Sequence, residues 1–192
     1  LSSDTIAVFQ RDITLLYFSR IHHKKGVHLL VEAFIRIAKT YPHVGLCIAG
    51  IREQEALEAK IRTIAAECDQ IYITTALTGP KAKAIFKHCN AFILPSFQEG
   101  FSISILEALS YSLPVIVTRP CRLPEVVKTG SGWECKPTVD DIEKTLHKVC
   151  QTSLRDLKLM GNNGREFVMQ HYTWPELTQT ALSIYAMSLD DR

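Results

Sequence analysis

The segment with the clearest chemical character runs between two glutamates, Glu99 and Glu107. The apolar run that ends near Pro95 predicts a strand, and the apolar residues after Ser102 predict a helix, with Gly100 in the loop between them. A helix that begins at the carboxyl end of a parallel strand presents free backbone N–H groups and the positive end of its dipole, which together bind anions such as phosphate. The two carboxylates would accept hydrogen bonds from hydroxyl groups on either side of that anion.

Both glutamates also have ordinary structural interpretations. Ser104 and Glu107 have the S-x-x-E spacing of a capping box, in which the glutamate accepts from the serine amide. Helix rules alone favour that role for Glu107, and an isolated Glu99 would be typical of a solvated loop. These alternatives stay open on the local pattern.

A second charged segment follows the first predicted strand and contains Arg20, Lys25 and Gly26. A guanidinium can bind two phosphate oxygens at once, and a lysine adds a point charge. Gly26 fits a tight turn into the next helix, although the same residues are also typical of a basic surface loop. The neighbouring His22 and His23 point in different directions and have no evident carboxylate partner, so no metal site is predicted.

The elements that position these residues follow from the hydrophobic pattern. Short apolar runs rich in β-branched residues predict five strands, at 12–18, 44–49, 70–74, 91–95 and 114–118. Apolar residues at helical spacing separate them within 27–38 and 57–65, and shorter helices are predicted at 80–88 and 103–112. This alternation predicts an α/β fold with a Rossmann-like, doubly wound parallel sheet, which binds ligands at the carboxyl ends of its strands.

The last third of the chain has a helical pattern only. Three segments are predicted, at 138–151, 153–170 and 174–189, with Gly161 and Gly164 interrupting the middle one. The last segment carries an apolar stripe that needs a partner: Leu177, Ala181, Ile184 and Tyr185. We interpret residues 1–192 as a single domain.

Composition and missing motifs exclude several classes of protein. Lys and Arg total 22 against 20 for Asp and Glu, which gives no bulk field for nucleic acid or a polybasic membrane surface. The six cysteines are scattered without metal spacing, which favours free thiols in a reducing compartment. A signal peptide, a membrane-spanning run, a P-loop, a G-x-G-x-x-G, a G-x-S-x-G and an H-E-x-x-H are all absent, and the sequence predicts a cytoplasmic protein.

Taken in order, these segments resemble the carboxyl-terminal domain of the family 4 (group 1) glycosyltransferases, which have the GT-B fold. Arg20 and Lys25-Gly26 are similar to the family's G-R-x-x-x-x-K-G, and Glu99-Gly100-Phe101 with Glu107-Ala108 to its E-G-F-G-x-x-x-x-E-A. Leu123-Pro124-Glu125 and Trp174 also match, so the resemblance covers nearly the whole chain. Other residues replace family glycines at Ser19, Thr75, Ser102, Ser112 and Cys121-Arg122.

The resemblance implies a role for each site residue. Glu99 would contact the sugar hydroxyls and Glu107 the ribose, while Gly100, Phe101, Ser102 and Ile103 would place their backbone against the diphosphate. Arg20 and Lys25 would neutralise charge on the leaving nucleotide and, with Glu99, form the catalytic set. The implied reaction is retaining transfer of a sugar from a UDP-, GDP- or ADP-sugar to a glycan or lipid-linked acceptor, with no metal or other cofactor.

The resemblance also implies an amino-terminal acceptor domain outside this chain. The helix at 174–189 would cross to it, and these residues alone would be inactive. The whole enzyme would be cytoplasmic and would contact the inner face of the membrane peripherally through the missing domain. Two alternatives are a non-catalytic nucleotide-sugar-binding module or subunit and a GT-B-like sugar-nucleotide epimerase. The charged residues favour the enzyme over the module, and the spacing of Glu99 and Glu107 favours a transferase over an epimerase.

Overall fold

Six parallel strands form one sheet in the computed structural model, which describes residues 9–190. The strands are β1 (Ile13–Phe18), β2 (Val44–Gly50), β3 (Ile71–Thr75), β4 (Ala91–Leu94), β5 (Val115–Thr118) and β6 (Gly132–Cys135). Their spatial order is β3-β2-β1-β4-β5-β6, so the order reverses between β1 and β4. In a doubly wound sheet this reversal opens a crevice at the carboxyl ends of the two strands.

Helices connect the strands and complete the chain. The connecting helices are α1 (Val27–Ala38), α2 (Glu55–Ala65), α3 (Gly79–His88), α4 (Ile103–Ser110) and α5 (Glu125–Lys128). Three more follow β6, namely α6 (Val139–Gln151), α7 (Leu154–His171) and α8 (Trp174–Asp190). Helix α6 packs against α1 on one face of the sheet, and α7 packs against α4. Two short 3-10 turns, His23–Lys25 and Arg119–Cys121, follow the ends of β1 and β5.

Burial explains why the apolar runs predict the sheet well. Every residue of β2, β4 and β5 is buried, as strands covered by helices on both faces require. On α1 the buried residues recur at helical spacing, and include Val27, Leu30, Phe34 and Ile37. The predicted α/β fold with a doubly wound parallel sheet is confirmed, and each of the five predicted strands lies within one residue of its observed bounds.

The sixth strand and the short helix α5 were not predicted. Strand β6 pairs with β5 along one edge, and three of its four residues are only partly buried. Its sequence, Gly-Trp-Glu-Cys, is neither β-branched nor a continuous apolar run. An edge strand of this length leaves no recognisable period in the sequence.

The prediction that Gly161 and Gly164 interrupt the middle carboxyl-terminal helix is wrong, because α7 runs unbroken through both. A Cβ on Gly161 would lie 1.8 Å from the carbonyl oxygen of Ser112, and one on Gly164 would lie 2.4 Å from Leu109. The two glycines therefore allow α7 to approach the end of α4 closely. Their role is packing between helices, not a break in one.

The last helix, α8, forms as predicted and exposes large apolar side chains. Trp174, Leu177 and Leu182 are all exposed, while the side chain of Ile184 lies outside the described part of the structure. Within residues 9–190 no helix combines the length and apolar character needed to span a bilayer. All six cysteines are free thiols, and five of them are buried.

Candidate functional site

The loops after β1 and β4 meet at the point where the strand order reverses. The carbonyl oxygen of Lys24 accepts two hydrogen bonds, from the Ser96 hydroxyl at 2.8 Å and the Phe97 amide at 2.8 Å. These bonds join segments more than 70 positions apart in the sequence. The two charged segments of the sequence therefore lie beside each other at the carboxyl edge of the sheet.

Gly26 makes this close approach possible. Its φ angle is +68°, in the left-handed region that favours glycine, and a Cβ there would lie 1.9 Å from the carbonyl oxygen of Pro95. The residue ends the short turn that carries Lys25 and is the N-cap of α1. The backbone of the loop after β1 thus packs directly against the residue that follows β4.

Lys25 and Glu99 form a buried ion pair across the two loops. The Nζ–Oε1 distance is 2.7 Å, and the side chains are 14% and 6% exposed. Two charges removed from water at this distance hold each other in a defined position, because either one alone would be costly to bury. The structure therefore brings these two predicted site residues together as a direct contact between the ammonium and the carboxylate.

Arg20 lies on the other side of the same edge. Its guanidinium pairs with Glu53 at 2.9 Å in an exposed contact, and its carbonyl oxygen accepts a 2.7 Å hydrogen bond from the Tyr17 hydroxyl. Burial raises the pKa of Tyr17, which keeps this hydroxyl protonated and able to donate. Arg20 and Lys25 thus have different carboxylate partners and are not clustered on one position.

Glu107 lies half-buried beside Arg20, and both line a cavity of about 290 Å³. Burial raises the pKa of Glu107. Within residues 9–190 its carboxylate has no hydrogen bond or ion pair. The capping-box alternative is wrong, because α4 begins at Ile103 with Ser102 as its N-cap, which places Ser104 inside the first turn.

The amino terminus of α4 presents free backbone donors. In the described part of the chain no acceptor is bonded to the amides of residues 100–104, and the Ser102 hydroxyl contacts that of Ser104 at 3.1 Å instead of capping the helix. Phe101 and Ile103 have exposed side chains, and no protein atom occupies the space beside Gly100. An anion could approach these amides without displacing protein atoms.

The cavity beside Glu107 is built from the ends of four chain segments. The segments after β1, β2 and β3 form its walls together with the first turns of α4; the lining residues are Phe18, Ser19, Arg20, Ala49, Gly50, Ile51, Ala76, Leu77, Thr78, Ile103, Ser104 and Glu107. Its lining is largely apolar, with charges only at Arg20 and Glu107. Such a lining suits a ligand with a flat ring that is oriented by a few polar contacts. Residues 9–190 contain no group of three or more His, Cys, Asp or Glu side chains placed to bind a metal ion.

A smaller cavity of about 160 Å³ lies beside the same loop and is lined by Gly100, Phe101, Ser102 and Arg122. Arg122 adopts the left-handed conformation at φ 53°, and Ser112 does so at φ 58°. Both residues replace glycines of the family pattern, and their φ values give the physical reason for glycine at these positions. Phe101 packs on Tyr172, with ring centroids 5.7 Å apart.

Sequence reasoning assigned no role to several residues that shape this edge. Glu53 holds Arg20, Tyr17 fixes its backbone, and the segment 76–78 forms a wall of the larger cavity. Glu53 and residues 76–78 follow predicted strands β2 and β3, so the rule that ligands bind at strand ends marks their positions. No sequence signal predicts the role of Tyr17, a buried strand residue whose hydroxyl donates to the Arg20 carbonyl oxygen.

Comparison with known proteins identifies the relatives of this chain. It is 26% identical over 173 residues to the phosphatidylinositol N-acetylglucosaminyltransferase gpi3 subunit of Schizosaccharomyces pombe, covering 90% of this chain and 38% of the relative. The chain spans well under half the length of each of three curated relatives, with shares of 38%, 36% and 40%.

Solved structures show the same fold. Sucrose-phosphate synthase from Thermosynechococcus elongatus superposes with a TM-score of 0.79 at 20% identity, over 94% of this chain and 46% of that one. The carboxyl-terminal domain of the group 1 glycosyltransferase LpcC from Francisella tularensis superposes with a TM-score of 0.74 at 23% identity, covering 88% and 91% of the two chains. The family model described as glycosyl transferases group 1 matches residues 3–167. With its reversed strand order and the paired charged loops at the crevice, this chain belongs to the group 1 glycosyltransferases.

Proposed function

We propose that this chain is the donor-binding half of a retaining glycosyltransferase that uses a nucleotide-diphosphate sugar. The observation that carries this proposal is the arrangement around α4. Free amides at its amino terminus lie between two carboxylates, Glu99 in a buried ion pair and Glu107 without a partner in the described chain. Backbone N–H groups that can bind an anion, flanked by two carboxylate acceptors, suit a diphosphate that joins two hydroxyl-bearing groups.

The two carboxylates would then have separate tasks. Glu107 lines the largely apolar cavity, which suits the base and its ribose, and an unpaired carboxylate there can accept from both ribose hydroxyls. Glu99 precedes the α4 amides in the chain and does not line this cavity, and it can accept from hydroxyls of the sugar. Lys25 fixes the position of Glu99 before the donor arrives, since the pair is already formed.

The chemistry would depend on stabilising the departing nucleotide. Charge grows on the diphosphate as the bond to the sugar breaks, and the amides of residues 100–104, which have no acceptor in the described part of the chain, are available to bind that charge. Arg20 adds a guanidinium at the rim of the cavity once it turns from Glu53. These donors belong to the protein, so the proposed mechanism uses no metal ion.

The acceptor side would come from a second domain. The relatives are more than twice as long as this chain, and α8 exposes apolar side chains that suit packing on further protein. We therefore propose that the chain alone binds donor but transfers sugar weakly or not at all. The acceptor would be a glycan or lipid-linked molecule, in the cytoplasm or at the inner face of a membrane.

Calorimetric titration of the 192-residue chain with UDP, GDP, ADP and their sugars tests the proposal. We expect one nucleotide to bind best, and Glu107→Gln and Arg20→Ala to weaken it by about tenfold each, equivalent to about 1.4 kcal/mol. Arg11→Ala is the matched control, because Arg11 forms a similar surface ion pair with Asp69 outside the crevice. Absence of binding to every nucleotide and sugar, or equal losses in the control variant, would reject the donor site.

A further inference from the structure

A groove lies between α3 and α7 and meets the proposed donor cavity at Glu107, which lines both. It consists of two adjoining cavities of about 430 and 590 Å³, which share Lys87, Tyr111 and Ser112 along their common wall. We call this feature the α3–α7 groove. Buried side chains of Phe86, Leu113 and Leu157 line the floor of the 430 Å³ cavity, so this part of the groove is concave and partly apolar.

Three cations line the groove and have no carboxylate partner within residues 9–190. They are Lys87 from α3, and Lys158 and Arg165 from α7, and all three residues are exposed. Elsewhere ion pairs engage many of the arginines, including Arg11, Arg20, Arg36, Arg52, Arg62 and Arg119. The charge of the groove is therefore left uncompensated in a chain whose net charge is only +2.

The distribution of charge on each helix is one-sided. Helix α3 carries lysines at three positions and no acidic residue. On α7 the side chains along the groove recur every three or four positions, with Leu154, Lys158 and Asn162 in one cavity and Arg165 and Met169 in the other. The acids of α7, Asp156 and Glu166, line neither cavity. Glu107, at the end near the donor cavity, is the one carboxylate among the lining residues of these two cavities.

The positions of the binding groups are partly fixed in advance. A guanidinium N–H of Arg165 donates to the carbonyl oxygen of Ser110, at the last turn of α4. Tyr111 stacks on Phe86 with centroids 5.2 Å apart. A charged group held in this way loses less conformational entropy when a ligand binds.

We propose that the α3–α7 groove binds an acidic peptide segment of a partner protein, anchored by a large apolar side chain near Leu154. Concavity favours a peptide over a bilayer, because a flat surface would touch the rim and leave the apolar floor uncovered. Leu154, 51% exposed at one end of the groove, offers the contact for the anchor. Lys158 and Arg165 are seven positions apart, a rise of about 10 Å along a helix. About three residues of extended chain span that distance, so acids at positions i and i+3 would match the two cations.

Fluorescence anisotropy at low ionic strength tests this proposal with the labelled peptide LEDGEDG and its uncharged counterpart LQNGQNG. We expect the acidic peptide to bind at least tenfold more tightly. The triple variant Lys87→Gln, Lys158→Gln, Arg165→Gln should weaken it about tenfold, since each exposed charge contributes about two- to threefold. The matched control is Lys39→Gln, Lys144→Gln, Lys148→Gln on the α1–α6 side, which makes a similar change in charge with exposed residues and should leave binding within twofold.

Circular dichroism and thermal melting establish that each variant is folded. If the triple variant unfolds, the single variant Lys158→Gln replaces it in the test, and we expect it to bind the acidic peptide two- to threefold less tightly. Vesicles with and without phosphatidylserine provide the competing surface. Equal binding of the two peptides, equal loss in both triple variants, or vesicle binding that depends on the groove cations without peptide binding would each overturn the proposal. The result does not depend on whether the chain binds nucleotides.

Discussion

Replacement of Lys25 by methionine should destabilise the fold strongly, because it leaves Glu99 buried without its partner. Two unit charges at 2.7 Å attract by about 6 kcal/mol at an effective dielectric constant of about 20. Desolvation cancels much of this attraction when both partners are present. Removal of one partner leaves the desolvation cost uncompensated, and losses of about 3–5 kcal/mol are usual. Lys25 keeps 14% of its surface exposed, so we expect a loss near the lower value, about 3 kcal/mol.

The measurement is a double-mutant cycle by urea unfolding, with Lys25→Met, Glu99→Gln and the double variant. Glu99→Gln should cost less, about 1–2 kcal/mol, because the long side chain of Lys25 can turn toward water. The double variant should recover much of the loss and give a coupling energy of about 2–3 kcal/mol. In thermal melts the single lysine variant should lose about 6–12 °C for a chain of this size. A coupling energy below about 0.5 kcal/mol would refute the argument that the pair acts as a unit.

Three further predictions concern single positions. Gly26→Ala should cost more than about 3 kcal/mol in urea unfolding, because the new Cβ would overlap the carbonyl oxygen of Pro95; a loss under 1 kcal/mol would contradict this. Ser112→Gly should stabilise the chain by about 0.5–1 kcal/mol in the same assay, by relieving a left-handed φ, and an unchanged midpoint would argue against strain there. Burial raises the pKa of Glu107, so the folded chain binds this proton more tightly than the unfolded chain. Stability relative to Glu107→Gln should therefore fall as the pH rises from the ordinary glutamate pKa through the raised one, and parallel pH profiles would show that burial does not act on this group.

Patterns within one element made the fold predictable. The strands β2, β4 and β5 are continuously apolar because helices cover both of their faces, and a run of this kind is visible without any neighbour. The edge strand β6 has no such cover and was missed. Gly161 was misinterpreted because glycine is needed there to leave room for the carbonyl oxygen of Ser112, a residue almost fifty positions away in the sequence.

The candidate site was predictable in its residues more than in its contacts. The loop positions of Arg20, Lys25, Glu99 and Glu107 follow from the rule that ligands bind at the ends of parallel strands. Their pairing does not, because the contact of Lys25 with Glu99 bridges 74 positions. The capping-box spacing at Glu107 was misleading, since the helix begins one residue after Ser102 and no spacing rule fixes the first turn.

The two hydrogen bonds to the carbonyl oxygen of Lys24 have a consequence for how the crevice opens. Because the Ser96 hydroxyl and the Phe97 amide bind the same oxygen, the two loops cannot separate from each other without breaking both bonds. The Phe97 amide should therefore exchange its hydrogen for deuterium in any opening that separates the two loops, whichever loop moves. A ligand that touches only the α4 side should slow that exchange as well, so one amide would report on the closure of the whole crevice.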